Sequence, residues 1–262
     1  MIGVVAMAEY LGGTEEGFVD MMNSKAKDLG MNDTTFKNSH GIDEDGHVTS
    51  SYDIALMSKE LLNKYTEITK YTTIYSDNLR DGKSELINTN KLIRNYNGCT
   101  GLKTGSTSGA LFNLSASATR NDLSLIAVVM KSPTSAIRFN NATSLLNYGF
   151  NNFEFVSLAH AGDIIQTVKI NKGTISNINA ICQNDVGTLI SKGNDYNIEK
   201  NIIINENINA PINKGDIIGT VNFSLNGSSV GSVNLISDSD VKKLNVFSMT
   251  GFIIDNWFNL CR

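Results

Sequence analysis

The apolar positions change their period along the chain, and each change marks an element. From Thr14 to Gly30, Phe18, Met21, Met22, Ala26 and Leu29 recur at three- and four-residue steps, which predicts an amphipathic helix with one inward stripe. Thr14 with Glu15 and Glu16 opens it, and Gly30 closes it. A second helix is expected from Ser50 or Ser51 to about Leu62, with Ile54, Leu56, Met57 and Leu61 inward. Between the two, residues 36–49 read as a polar loop. Residues 72–76 and 84–88 flank Arg80-Asp81-Gly82-Lys83, a hairpin signal.

After Asn97-Gly98 the period falls to two. Runs at Gly101–Thr107, Leu111–Ala118 and Leu123–Met130 are separated by Ser108-Gly109 and Arg120-Asn121-Asp122, the pattern of an antiparallel meander. A helix follows from about Ser135 to Tyr148, stopped by Gly149. The first part, residues 1–153, is therefore expected to be α+β.

Near residue 154 the pattern shifts to short β-like runs broken by turns such as Ala161-Gly162-Asp163 and Asn213-Lys214-Gly215-Asp216. Strands are expected at Ile164–Ile170, Thr188–Ile190, Ile198–Ile204, Ile217–Leu225 and Ser229–Leu235, spaced for a small all-β sandwich over residues 154–238. No catalytic constellation is visible in it. Residues 239–262 are read as an amphipathic helix opened by Ser239. Its polar wedge holds Asn245, Ser248, Asp255, Asn256 and Asn259, and Phe247, Ile253, Ile254, Trp257 and Phe258 fill much of the rest. With Lys242 and Lys243 ahead of it, this tail fits a helix lying on a membrane surface. At the other end, Met1 to Tyr10 reads as the middle of a buried helix, with no cap, basic start or cleavage site. The expectation is that upstream sequence is missing and that this chain has no signal peptide.

Composition narrows the function. The 262 residues are 41% hydrophobic and 18% charged, so the chain is globular and long enough to bury real cores. A net charge of −4 with no long basic run argues against nucleic acid as a partner. No run of about 18 apolar residues suggests a spanning helix. Cys99, Cys182 and Cys261 form no C-x-x-C or zinc pattern, and His40 and His47 are spaced as loop residues. No metal and no cofactor are expected.

One triplet carries chemistry. Lys103-Thr104-Gly105 lies on an expected strand and is followed by Ser106-Thr107-Ser108. A strand edge can pair with an extended peptide through backbone hydrogen bonds. Lysine supplies a fixed positive charge there, threonine a hydroxyl for a carboxylate, and glycine room for backbone contact.

In this setting the chain resembles the serine-type D-alanyl-D-alanine carboxypeptidases, the low-molecular-mass penicillin-binding proteins. The likeness runs through Val5–Tyr10, Lys25–Met31, His40-Gly41-Ile42-Asp43, Tyr52-Asp53-Ile54-Ala55, Asn88-Thr89-Asn90-Lys91-Leu92, Thr100–Gly105, Leu145–Phe150 and Ala210–Asp216. The resemblance implies a β-lactamase-like transpeptidase domain, a β domain and a membrane-associating tail. It also implies a reaction in which the serine of an S-x-x-K motif attacks the D-Ala-D-Ala amide, with that motif's lysine as base and an S-x-N motif relaying protons.

On the matching positions, the resemblance makes Lys103 the catalytic electrostatic partner of the S-x-N serine. Thr104 would bind the terminal carboxylate and Arg138 would support it. Gly105 would line the substrate, and the Ser106 backbone N–H would form half of an oxyanion hole. The implied partners are peptidoglycan stem peptides ending in D-Ala-D-Ala, β-lactams in the full-length parent, and a membrane surface. The implied place of the parent is the extracytoplasmic face of a bacterial cytoplasmic membrane.

The chain departs from the family order, S-x-x-K then S-x-N then K-T-G, because it begins after the place where the first two belong. Ser239-Asp240-Val241-Lys242 follows K-T-G and reads as a helix cap. Ser76-Asp77-Asn78 precedes the Asp81-Gly82 turn and lies too near Lys103. Both upstream motifs are therefore expected to be missing and the chain as given inactive. The alternative is a non-catalytic, membrane-associated wall-binding or interaction protein. An in-frame signal peptide with both motifs upstream of Met1 would decide for the enzyme.

Overall fold

The computed structural model describes residues 2–193 and 195–245, which fall into two compact units divided between Asn152 and Phe153. The first unit opens with helices α1 (Ile2–Gly12), α2 (Glu15–Asp28) and α3 (Ser51–Lys64). A single 3-10 turn at Thr66–Ile68, short helix α4 (Thr69–Thr72), hairpin β1 (Ser76–Leu79) and β2 (Ser84–Ile87), and short helix α5 (Leu92–Asn95) follow. Strands β3 (Cys99–Thr107), β4 (Leu111–Arg120) and β5 (Leu123–Ser132) then form the antiparallel meander, and α6 (Ser135–Asn152) completes the unit.

The helix ends follow the sequence signals. Thr14 caps α2 by accepting from the Gly17 N–H at 3.0 Å. Ser50 caps α3 by accepting from the Asp53 N–H at 3.2 Å. In the β1–β2 turn, Arg80, Asp81 and Gly82 all take positive φ, as a tight hairpin requires.

The sheet is packed on one face by α6, whose Phe139, Ala142, Leu146 and Phe150 are buried. Leu114, Ala116 and Ala118 of β4 pair with Val129, Ala127 and Leu125 of β5, so their side chains share that face. Gly149 leaves no room for a Cβ against Leu125, which lets α6 lie close to β5.

The helical stripes differ from the sequence expectation. In α3 the buried side chains are Asp53 and Ser58, while Met57 is exposed. Polar partners in the loop and the sheet replace apolar contact there. In α2 Val19 and Ala26 are buried and Met21 is exposed. Helix α1 packs on α2 and buries only Ala8, leaving Ile2 at 89% and Tyr10 at 83% exposure. A buried helix was expected there.

The second unit is all-β. Its five-stranded antiparallel sheet has the order β10 (Ile198–Ile204), β11 (Ile217–Leu225), β12 (Ser228–Ser237), β8 (Asn177–Cys182), β7 (Ile164–Lys169). Strands β6 (Phe153–Ala159) and β9 (Val186–Ser191) form a second, two-stranded sheet. Phe223, Val221, Leu235, Ile178 and Ala180 centre one core between the layers.

The tail requires a correction. Ser239 opens no helix in the described residues: Val241 is buried in this core and pairs with Ile212, and Lys243 bridges Gly173. The Val241 N–H donates to the Ile212 carbonyl at 2.8 Å, so chain beyond residue 238 still belongs to the β core. The apolar part of the expected helix, from Val246 on, lies outside the described residues.

Candidate functional site

Strand β3 is the edge of the three-stranded sheet and carries Lys103, Thr104, Gly105 and Ser106. Several side chains brace it. The Asn90 side-chain amide donates to the Gly101 carbonyl at 2.9 Å, and Thr72 Oγ1 donates to the Thr100 carbonyl at 2.6 Å. Asn90 is itself ordered, because its Oδ1 accepts from the Leu92 N–H and its own N–H donates to Asn88 Oδ1. Asn88 in turn donates to the Thr72 and Ile74 carbonyls. The run Asn88-Thr89-Asn90 is thus a polar bracket for the strand. The signal for it was the resemblance alone, since no periodicity marks it.

Alternation along β3 separates its side chains. Lys103 lies opposite Ser115 on the face toward α3, where Ser115 Oγ sits 2.8 Å from Ser58 Oγ. Lys103 is exposed, and its ammonium donates to the Thr104 carbonyl at 2.5 Å. Ile54, Met57 and Leu61 of α3 and Val128 and Met130 of β5 line a cavity of about 460 Å³ beside Lys103–Gly105. The charge therefore stands at the rim of an apolar hollow.

Thr104 falls on the other face and is buried, with its Oγ1 2.6 Å from Thr89 Oγ1. Its hydroxyl can serve a carboxylate only with the hydrogen it does not give to Thr89. Ser106 and Gly105 are exposed.

Arg138 is buried at the start of α6. Its guanidinium donates to the Asn113 carbonyl at 3.1 Å, the Gly105 carbonyl at 3.4 Å and Ser135 Oγ at 3.1 Å, and it lies over the rings of Phe139 and Phe112. Burial pulls its pKa below the usual arginine range, and its Nε has no partner. Arg138 thus ties Gly105 of β3 to Asn113 of β4 and keeps its positive charge under the strand.

The remaining candidates lie elsewhere. Ser76-Asp77-Asn78 is on the exposed hairpin strand β1, and Ser239-Asp240-Val241-Lys242 is in the second unit. Three further pattern matches escaped the sequence reading. Ser24-Lys25-Ala26-Lys27 fits S-x-x-K, but Ser24 and Lys27 are exposed on α2 and do not line the cavity beside Lys103. Ser224-Leu225-Asn226 and Ser232-Val233-Asn234 fit S-x-N but belong to the second unit. His40 Nε2 lies 3.9 Å from Glu15 Oε1, and burial lowers the pKa of His47. Asp53, in the first turn of α3, accepts from the Asp33 N–H and the Thr34 hydroxyl and so fixes the chain entering that helix. Among the described residues, no group of three or more His, Cys, Asp or Glu is placed to hold a metal.

With this geometry in view, the sequence profile for D-alanyl-D-alanine carboxypeptidase matches residues 3–134, and that for the C-terminal domain of penicillin-binding protein 5 matches residues 153–243. The chain belongs to the D-alanyl-D-alanine carboxypeptidase family. It is 39% identical over 257 residues to D-alanyl-D-alanine carboxypeptidase DacF of Bacillus subtilis, covering 97% of this chain and 66% of that protein. It is 34% identical over 245 residues to DacC of Escherichia coli, covering 93% and 61%. The chain thus spans less than two thirds of either relative. Among solved structures it is similar to penicillin-binding protein 5 from Haemophilus influenzae, with TM-score 0.67 and 31% identity over 91% of this chain and 70% of that one. Penicillin-binding protein D2 from Listeria monocytogenes in its cefotaxime-bound form is similar over 55% of this chain and 60% of that one, with TM-score 0.50 and 34% identity. In this carboxypeptidase-family chain, the matched region contains Lys103-Thr104-Gly105 and its polar bracket.

Proposed function

We propose that this chain is the substrate-binding portion of a serine-type D-Ala-D-Ala carboxypeptidase, the class of enzyme that removes the terminal D-alanine from peptidoglycan stem peptides. One observation carries the reading: Lys103, Gly105 and Ser106 are presented on a braced, exposed edge strand above an apolar cavity. A short peptide adds to such an edge as an extra strand. Its terminal carboxylate is then drawn to the Lys103 charge, while the Thr104 hydroxyl, buried on the other face beside Thr89, joins it only by turning outward. The Ser106 N–H offers a hydrogen bond to the oxygen of the scissile carbonyl as negative charge develops there.

Acyl transfer needs a nucleophile and base that act as a unit, and losing either removes most of the rate. Of the S-x-x-K matches, Ser24-Lys25-Ala26-Lys27 does not line the cavity beside Lys103 and Ser239-Asp240-Val241-Lys242 belongs to the second unit, so the chain as given is proposed not to form an acyl-enzyme. Incubation with a fluorescent penicillin followed by denaturing electrophoresis tests this. No labelled band is expected; a band competed away by unlabelled penicillin would overturn the inactive assignment.

The membrane part of the reading rests on sequence. The stretch Val246 to Leu260 is about 22 Å long as a helix, short of the roughly 30 Å hydrocarbon core, so attachment at the surface is proposed. The parent then works at the extracytoplasmic face of the cytoplasmic membrane. Removal of residues 246–262 should release the chain from anionic liposomes; unchanged flotation would refute the anchor.

A further inference from the structure

The loop of residues 36–49 is anchored along its length. At its start, Asn23 Nδ2 donates to the Phe36 carbonyl, and the Phe36 N–H donates to Asn23 Oδ1. Ser39 donates twice to Glu15 Oε1, and buried Asn38 donates to the Ile42 carbonyl and accepts from the Gly41 N–H. This scaffolding holds Asp43 against the turn that follows Lys103-Thr104-Gly105.

There one carboxylate gathers the turn. Asp43 Oδ1 accepts from Thr107 Oγ1 at 2.5 Å. Oδ2 accepts from the Gly109 N–H at 2.9 Å and from Ser108 Oγ at 3.4 Å. Thr107 Oγ1 also accepts from the Ala110 N–H at 2.9 Å, closing the turn on itself. Glycine at 109 matters, because a Cβ would lie 3.1 Å from Asp43 Oδ2. These donors hold the Asp43 pKa below the usual aspartate range, the Thr107 hydroxyl first and the Gly109 N–H next, so the acceptor stays ionised.

The hairpin end needs an outside brace. Leu111 takes φ of 54°, which a leucine rarely adopts, and the pairing of β4 with β5 slips between Phe112 and Leu114. The ladder is therefore irregular just where β3 finishes.

We infer that Asp43 is a positioning residue whose carboxylate clamps the 107–110 turn and so sets the course of Lys103–Ser106 at the edge of the sheet. The inference rests on the reading of β3 as the substrate strand, and it names a residue acting through Thr107 and Gly109, not on the substrate.

The test compares the full-length chain with Asp43→Asn, Thr107→Val and Thr107→Ser by amide NMR. Two quantities are read: hydrogen exchange at Gly109 and Ala110, and the Kd for diacetyl-L-Lys-D-Ala-D-Ala from shifts at Gly105 and Ser106. Asp43→Asn and Thr107→Val should each speed Gly109 exchange and weaken peptide binding by about tenfold, roughly the worth of one charge-assisted hydrogen bond. Thr107→Ser, which keeps the hydroxyl, should restore both quantities. The double variant Asp43→Asn/Thr107→Val should be little worse than Thr107→Val alone, because both changes remove the Asp43–Thr107 contact and Thr107→Val also removes the acceptor of the Ala110 N–H.

Wild-type exchange and wild-type Ser106 shifts in Asp43→Asn would overturn the clamp. Faster exchange with unchanged peptide Kd would overturn its positioning role. If the wild-type chain does not bind the peptide, the substrate reading fails; the clamp then stands or falls on the Gly109 exchange and the Ser106 shift of the free variants.

Discussion

The side-chain amide of Asn90 reaches the carbonyl of Gly101 at 2.9 Å, two residues before the lysine of K-T-G. Both residues are buried, so the carbonyl has no water to fall back on. Asn90→Ala should cost about 1–3 kcal/mol, because it leaves that acceptor only the weak thiol donor of Cys99 at 3.5 Å. Urea unfolding followed by far-UV circular dichroism checks this. A loss under about 0.5 kcal/mol would fit a surface substitution instead.

Much of the first unit was legible because its apolar residues keep a period. The meander falls where alternation places it, and α6 starts at the expected Ser135 but runs through Gly149, the expected stop, to Asn152. Strands β6 and β8 were not foreseen. In β8 the buried Ile178, Ala180 and Cys182 do alternate, but Ala180 is small and the flanking asparagines read as turn. Helix α3 misled in the opposite way, since Ser58 and Asp53 are buried through hydrogen bonds that hydropathy cannot register. At Ser239 a helix-cap pattern lost to tertiary pairing, because Val241 fills the β core and its backbone finds Ile212. In the site, Lys103-Thr104-Gly105 stood out as a motif. The link from Asp43 to Thr107 did not, for a hydrogen bond spanning 64 residues leaves no local pattern.

Acid should act on the Asp43 contact in one direction. Its pKa is lowered in the fold, so the contact is intact above the usual aspartate value of about 3.9 and is lost as pH falls through the lowered, folded value. A carboxyl-detected NMR titration should place the Asp43 midpoint below about 3.9, and Thr107→Val should move it up by removing the largest cause. A midpoint at or above the ordinary value would contradict the contact.

Helix α1 should bind a dye that reports exposed apolar surface. Ile2, Val4, Met7, Tyr10 and Leu11 are all exposed on it, which is a large apolar area for one short helix. Val4→Glu with Met7→Lys should cut the fluorescence of bound anilinonaphthalene sulfonate substantially while leaving the circular dichroism spectrum unchanged. Equal dye binding in the double variant would place the dye elsewhere.

Residues 153–245 should fold alone, since this unit has its own continuous core around Phe223, Val221 and Leu235. Calorimetry should show one cooperative transition. Phe223→Ala should lower stability by about 3–5 kcal/mol, the usual range for a large buried aromatic. A broad, non-cooperative melt of the isolated unit would argue against its independence.

The central claim is that the β3 edge at Lys103–Ser106 recognises a peptide ending in D-Ala-D-Ala, and an amide NMR titration of the full-length chain tests it most directly. Diacetyl-L-Lys-D-Ala-D-Ala should shift the amides of Gly105 and Ser106 saturably. The L-Ala-L-Ala counterpart should bind at least about tenfold more weakly, a difference of about 1.4 kcal/mol, and Lys103→Ala should weaken the binding of both by removing the charge that meets their common carboxylate. Equal shifts with both peptides, or shifts confined to residues away from β3, would contradict the account.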